Sequence, residues 1–161
     1  MIVLSSFNGK VGIANAMNVL KSGGNALDAV EAGTRDVERN AADQSVGLGG
    51  LPNLLGEVRL DAAIMDGKTL QAGAVGSVQG YVHAITLARH VMEETPHVFL
   101  VGDGAERLAR EMGCDCENLL TAEATAKWRE GLAHHYPDLA PSELDSRNNL
   151  RDIVRTLNQP M

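Results

Sequence analysis

The sequence predicts an α/β protein of the α+β type, with helices facing a sheet of mixed strand direction. Three observations carry that prediction. Short β-branched runs alternate with segments of helical period, a hairpin sits in the middle of the chain, and helices stand on both sides of it. The 161 residues are 44% hydrophobic and 22% charged, as expected of one globular unit. Aromatics make up only 3%, so aliphatic side chains must fill the core, and 17 glycines allow elements to approach closely.

The first element is read as "IVLSS", Ile2 to Ser6, a β-branched run predicted to be a strand buried on both faces. From Gly12 to Lys21, Ile13, Ala16, Met17 and Leu20 recur at helical spacing until Gly23 and Gly24 stop the helix. Asn25 caps the next helix, whose predicted apolar stripe is Ala26, Val30, Gly33 and Val37, with Leu27 beside it, ending around Asn40. Residues 41 to 57 are a loop that includes "VGLGGLPN". Val58 to Gly67 then reads as a strand with Val58, Leu60, Ala62 and Ile64 on one face. Asp66-Gly67 signals a hairpin turn, because both residue types tolerate positive φ. Thr69 to Val78 returns antiparallel, and its small residues predict that another layer comes close.

Val82 to Glu94 is helical and ends at Thr95-Pro96. A further apolar strand, His97 to Gly102, precedes a helix from Asp103 to Met112. Thr121 caps a last amphipathic helix that places Ala124, Trp128 and Leu132 on one side. The composition turns polar after Tyr136-Pro137, which divides the chain into a folded region at 1–135 and a tail or linker at 136–161. That tail carries one helical stretch around Leu150 to Leu157.

A net charge of −7 argues against nucleic acid and anionic membrane as partners, since both demand a Lys/Arg face. No run approaches the ~18 apolar residues of a membrane span. The N-terminal "MIVLSSFNGK" lacks the basic and apolar regions of a signal peptide, so the expected compartment is cytoplasmic by default, or periplasmic or lysosomal if a leader has been removed. Cys114 and Cys116 form a lone C-x-C without a second ligand pair, so no metal and no cofactor are expected.

The glycine-rich stretches do not fit a nucleotide site. "GLGGLP" breaks G-x-G-x-x-G at Pro52 and leads from helix to strand, and "GDGAER" has Arg107 at the third glycine position. Asp61 and Asp66 lie five apart on one strand and point to opposite faces, so they cannot serve one substrate together. Asp66 belongs to the turn. Asp61, set against the apolar face of its strand, is the better site candidate. The histidines read as solvated or capping residues, and no G-x-S-x-G or Cys/His pairing appears.

"GGNALDAVEAGTRDVERN", "SVGLGGLPN", "GEVRLDAAIMDG", "HAITLARHVMEETPHVFLVGDGAERLA" and "ENLLTAEATAKW" together resemble the N-terminal part of the glycosylasparaginase family. That family joins aspartylglucosaminidases to plant-type asparaginase/isoaspartyl peptidases, and the resemblance runs from residue 2 to about 132. It implies half of an αββα N-terminal-nucleophile (Ntn) hydrolase sandwich. It also implies an α subunit whose β subunit, released by autoproteolysis, opens with the nucleophilic threonine. An (αβ)2 assembly and a small asparagine-derived substrate follow from the same resemblance. "SVGLGGLPN" lacks the N-A-G-x-G pattern, associated with a sodium-binding loop, of plant-type asparaginases, which favours the glycosylasparaginase side.

The family's Thr-Trp after the first strand reads Ser6-Phe7 here, so an aromatic wall is kept while its N–H donor is lost. The resemblance assigns Phe7 to the substrate pocket and Asp61 to support of the site, with Ser6 and Asn8 as neighbours. The His-Asp-Thr motif that holds the nucleophile is absent, so no catalytic residue is expected in this chain. The alternatives are an L-asparaginase/isoaspartyl peptidase α subunit, or a non-catalytic remnant acting as a binding or structural domain.

Overall fold

The computed structural model describes residues 1–137. The predicted tail helix at 150–157, and all but the first two residues of the tail itself, lie outside the described residues. A single 3-10 turn, Asn8–Gly12, leads into helix α1 (Ile13–Lys21), and α2 (Ala26–Glu38) follows. Asn25 begins α2 with a full capping box: its side chain accepts the Asp28 N–H at 2.9 Å while Asp28 accepts the Asn25 N–H at 3.0 Å. Strand β1 (Leu60–Met65) pairs antiparallel with β2 (Ala72–Val78), and β2 pairs parallel with β3 (Phe99–Val101) after crossing over through α3 (Ala84–Glu94). Helix α4 (Asp103–Glu111) packs beside α3, and α5 (Ala122–His135) forms a separate small cluster in which Trp128, Leu132 and Tyr136 meet Leu54 of the loop. The fold is therefore α/β with a three-stranded mixed sheet, as the sequence predicts.

The core lies between this sheet and α3. Leu60, Ile64, Val75 and Val78 meet Leu87, Ala88 and Val91, with Ala105 and Ala109 of α4 beside them. Gly73 explains how the helix comes so close: a Cβ there would lie 2.1 Å from the Ala88 carbonyl oxygen and 2.5 Å from the Met92 nitrogen. The crowding expected from the small residues of β2 is thus the seat of α3. Arg89 joins α3 to α2, pairing with Asp28 at 2.9 Å and Glu31 at 2.8 Å, and with Glu93 of its own helix at 2.8 Å.

Three local expectations are corrected. Ile2 to Ser6 is not a strand: Ile2 and Leu4 are exposed, and no neighbouring strand among the described residues offers a hydrogen-bond ladder. In α2, Val30 is exposed while Ala29, Val37 and Glu38 are buried. Helix α1 and the start of α3 claim a face rotated from the one that apolar spacing alone suggests. The hairpin is also longer than an Asp-Gly turn. Asp66 accepts the Lys68 and Thr69 N–H groups and the Thr69 hydroxyl, and the positive φ falls on Leu70 (62°). Those donors hold the Asp66 carboxyl below the usual carboxylate range, the Lys68 N–H first. Among the described residues no helix is long and apolar enough to cross a membrane.

Candidate functional site

The glycine loop does its work through backbone geometry. Gly47 has φ 63°, and a Cβ on it would lie 1.9 Å from the Glu38 carbonyl oxygen. The next N–H, of Leu48, donates to that same oxygen at 2.8 Å, and the Gly49 N–H donates to the Leu119 carbonyl at 2.8 Å. The loop is thereby clamped onto the end of α2, and the amides of Leu48 to Leu51 are spent on protein carbonyls rather than offered to a phosphate.

This clamp forms one wall of an open cleft of about 610 Å³. Ser6 and Asn8 enter it from the N-terminal segment, Glu38 from α2, Ser45 to Gly47 from the loop, Arg59 from just before β1 and Asp61 from its second position. Ala84 and Ile85, at the start of α3, also line it. Three of the residues singled out in the sequence, Ser6, Asn8 and Asp61, thus share one cleft. Phe7 does not line it: the ring is 95% exposed and projects into solvent. The Ser6 hydroxyl is hydrogen-bonded to Asn8 Oδ1. Asp43, in the facing loop, accepts the Ser45 hydroxyl at 2.5 Å and the Ser45 N–H at 3.0 Å, and these hold its carboxyl below the usual range. Asp61 accepts the Ser77 N–H at 2.7 Å through Oδ1.

Glu38 is the residue that sequence reasoning missed. It is the buried charged side chain of the described core, 5% exposed, at the last position of α2. Its Oε1 accepts the Ile85 N–H at 2.8 Å, and Oε2 lies 3.4 Å from His83 Nδ1. Helix α3 has no capping side chain of its own at His83, so Glu38 supplies an acceptor where the helix N-terminus favours negative charge. Burial pushes the Glu38 carboxyl above its ordinary range, against the pull of His83 and the Ile85 N–H. His83, read from sequence as solvated or capping, pairs with Glu38 instead. His134 and His135 do occupy the last turn of α5, where a cation suits the helix dipole. Cys114 and Cys116 are free thiols, and the described residues hold no cluster of three His, Cys, Asp or Glu fit for a metal.

Fold and cleft together define a layered α/β domain whose polar cleft opens at the end of a two-strand hairpin. Residues 10–151 match the family model described as asparaginase, and the chain belongs to that family of amidohydrolases, which takes in glycosylasparaginases and isoaspartyl peptidases. It is 49% identical over 132 residues to an N(4)-(beta-N-acetylglucosaminyl)-L-asparaginase of Elizabethkingia miricola, covering 81% of this chain and 38% of that protein. It is 46% identical over 126 residues to the isoaspartyl peptidase/L-asparaginase of Rattus norvegicus, covering 74% and 37%. Against the N(4)-(beta-N-acetylglucosaminyl)-L-asparaginase of Rattus norvegicus the identity is 44% over 116 residues, covering 72% and 34%. The chain thus spans well under half the length of each relative.

Proposed function

We propose that this chain is the α-subunit part of an amidohydrolase that cleaves the side-chain amide of asparagine derivatives. A threonine at the N-terminus of a β subunit is the nucleophile. Its hydroxyl attacks the amide carbon while its own α-amine takes the proton, so nucleophile and base reside in one residue. Donors placed at the developing oxyanion stabilise the tetrahedral intermediate, and the amine leaves. Water then releases aspartate from the threonine ester. The part played by this chain is to wall the cleft with Ser6, Asn8, Arg59 and Asp61 and to offer one face of its sheet to the rest of the protein.

That open face is the observation that carries the reading beyond family membership. Asp61, Ala63 and Met65 of β1 share it with Phe99 and Val101 of β3, and the apolar members Met65, Phe99 and Val101 are all exposed. A sheet face of this composition is suited to packing against a second sheet. For substrate, the stretch "SVGLGGLPN" and the 49% identical relative favour glycosylated asparagine. The 46% identical isoaspartyl peptidase/L-asparaginase supports a second reading, with free asparagine or isoaspartyl peptides as substrate.

The test is aspartate release by the intact natural protein from N4-(β-N-acetylglucosaminyl)-L-asparagine, asparagine and an isoaspartyl dipeptide, with N-terminal sequencing of each polypeptide present. Release from the first substrate, with a second polypeptide opening on threonine, supports the proposal. Preference for either of the others moves it to the second reading. No release from any of the three would falsify both.

A further inference from the structure

Between Leu60 and Ala62 the β1–β2 register slips: Leu60 pairs with Val78, but Ala62 pairs with Val75. Asp61 therefore faces two residues, Gly76 and Ser77, across a β-bulge. Ser77 has φ 55°, a left-handed conformation that costs a residue with a Cβ of order 1 kcal/mol or more. Three contacts hold it there. Asp61 Oδ1 accepts its N–H at 2.7 Å, and the Arg59 Nη1 donates to its carbonyl at 3.2 Å and to its hydroxyl at 3.3 Å. Glu57 steadies the other end of that guanidinium, accepting from Nε at 2.9 Å. The neighbouring Gly76 carbonyl accepts the Gly102 N–H at 2.9 Å, which ties the bulge to the start of α4.

We propose that Asp61 and Arg59 are positioning residues, and that the strained bulge at Ser77 is what they hold. Resting on the amidohydrolase reading, the proposal deepens it: both side chains line the cleft, yet Asp61 Oδ1 and Arg59 Nη1 are engaged by Ser77 of the facing strand. Asp61 acts through one acceptor oxygen rather than through its charge. Were the clamp released, Ser77 would relax toward extended backbone, the register would shift, and the cleft edge at residues 59 to 63 would move with it.

The experiment uses the intact protein in wild-type form and as Asp61→Asn, Asp61→Ala and Asp61→Ala/Ser77→Gly. An asparagine keeps the acceptor without the charge, and a glycine adopts positive φ without help. Amide exchange at residue 77 should speed up by about tenfold in Asp61→Ala and by much less in Asp61→Asn. The fall in kcat/KM for aspartate release should be deepest in Asp61→Ala, smaller in Asp61→Asn, and partly recovered in the double variant. Equal exchange rates in the Asn and Ala variants overturn the proposal, as does a double variant no better than Asp61→Ala. If no aspartate is released by any form, the amidohydrolase reading fails while amide exchange still decides the role of Asp61.

Discussion

Along β1, neighbours in the chain meet opposite surroundings. Ile64 is 5% exposed beneath α3, while the next residue, Met65, is 57% exposed on the other side of the sheet. The same contrast crosses the other strands: Val75 is enclosed in the core, and Phe99 and Val101 stand open to solvent. Both faces are apolar, so hydrophobicity alone does not separate them. What differs is whether a layer covers them. The helix side is finished with interlocking side chains, a glycine seat and ion pairs, whereas the open side is apolar surface of a kind that monomers seldom leave bare. Composition on a strand reports that burial is intended, and only packing reports which burial this chain achieves by itself.

Substitutions on the covered side should therefore act on the layer itself. The largest effect is expected at Leu87, which is fully enclosed between α3 and the sheet. Leu87→Ala should lower unfolding free energy by about 3 kcal/mol in a denaturant titration. By contrast, Val101→Asp touches no packed neighbour of that layer and should show itself in failed assembly and lost aspartate release. Arg89→Ala comes next, at about 2 kcal/mol, because it takes the charged partner from the half-buried Glu31 and leaves it only the Thr86 hydroxyl. Arg89→Lys should recover only part of that loss, since a single ammonium cannot replace the guanidinium fork shared among Asp28, Glu31 and Glu93.

Farther from the sheet, Asn25→Ala removes the α2 capping box and should cost about 1 kcal/mol. The smallest effect concerns Glu38. Because burial raises its carboxyl pKa in the folded state, the unfolded chain gives up that proton first as pH rises. The Glu38 contribution is thus complete below the ordinary glutamate range and declines as pH climbs through the raised value. Glu38→Gln keeps an acceptor for the Ile85 N–H and should remove that decline from a stability–pH profile. An unchanged profile would show that the carboxyl is not perturbed.

The helices were legible because their ends are written in local chemistry: Gly23-Gly24 after α1, Asn25 before α2, Pro96 after α3, and Thr121 before α5. The antiparallel hairpin and the close approach at β2 could be read from alternation and small residues. Ile2 to Ser6 could not, because a β-branched run looks the same whether or not a strand lies beside it. In the cleft, the sequence pointed to Ser6, Asn8 and Asp61, which do converge, but gave no sign of Glu38. A glutamate closing a helix looks solvated until the fold sets another helix N-terminus against it. The bulge was equally hidden, since Ser77 carries no residue-type signal for positive φ.

The contrast between the two faces is tested most directly by the reactivity of a thiol placed on the open one. In the intact protein, with Cys114 and Cys116 replaced by serine, the proposed second layer predicts that a Val101→Cys thiol reacts with a maleimide roughly tenfold or more slowly than in the denaturant-unfolded protein. Labelling as fast in the native protein as in the unfolded one would contradict the account.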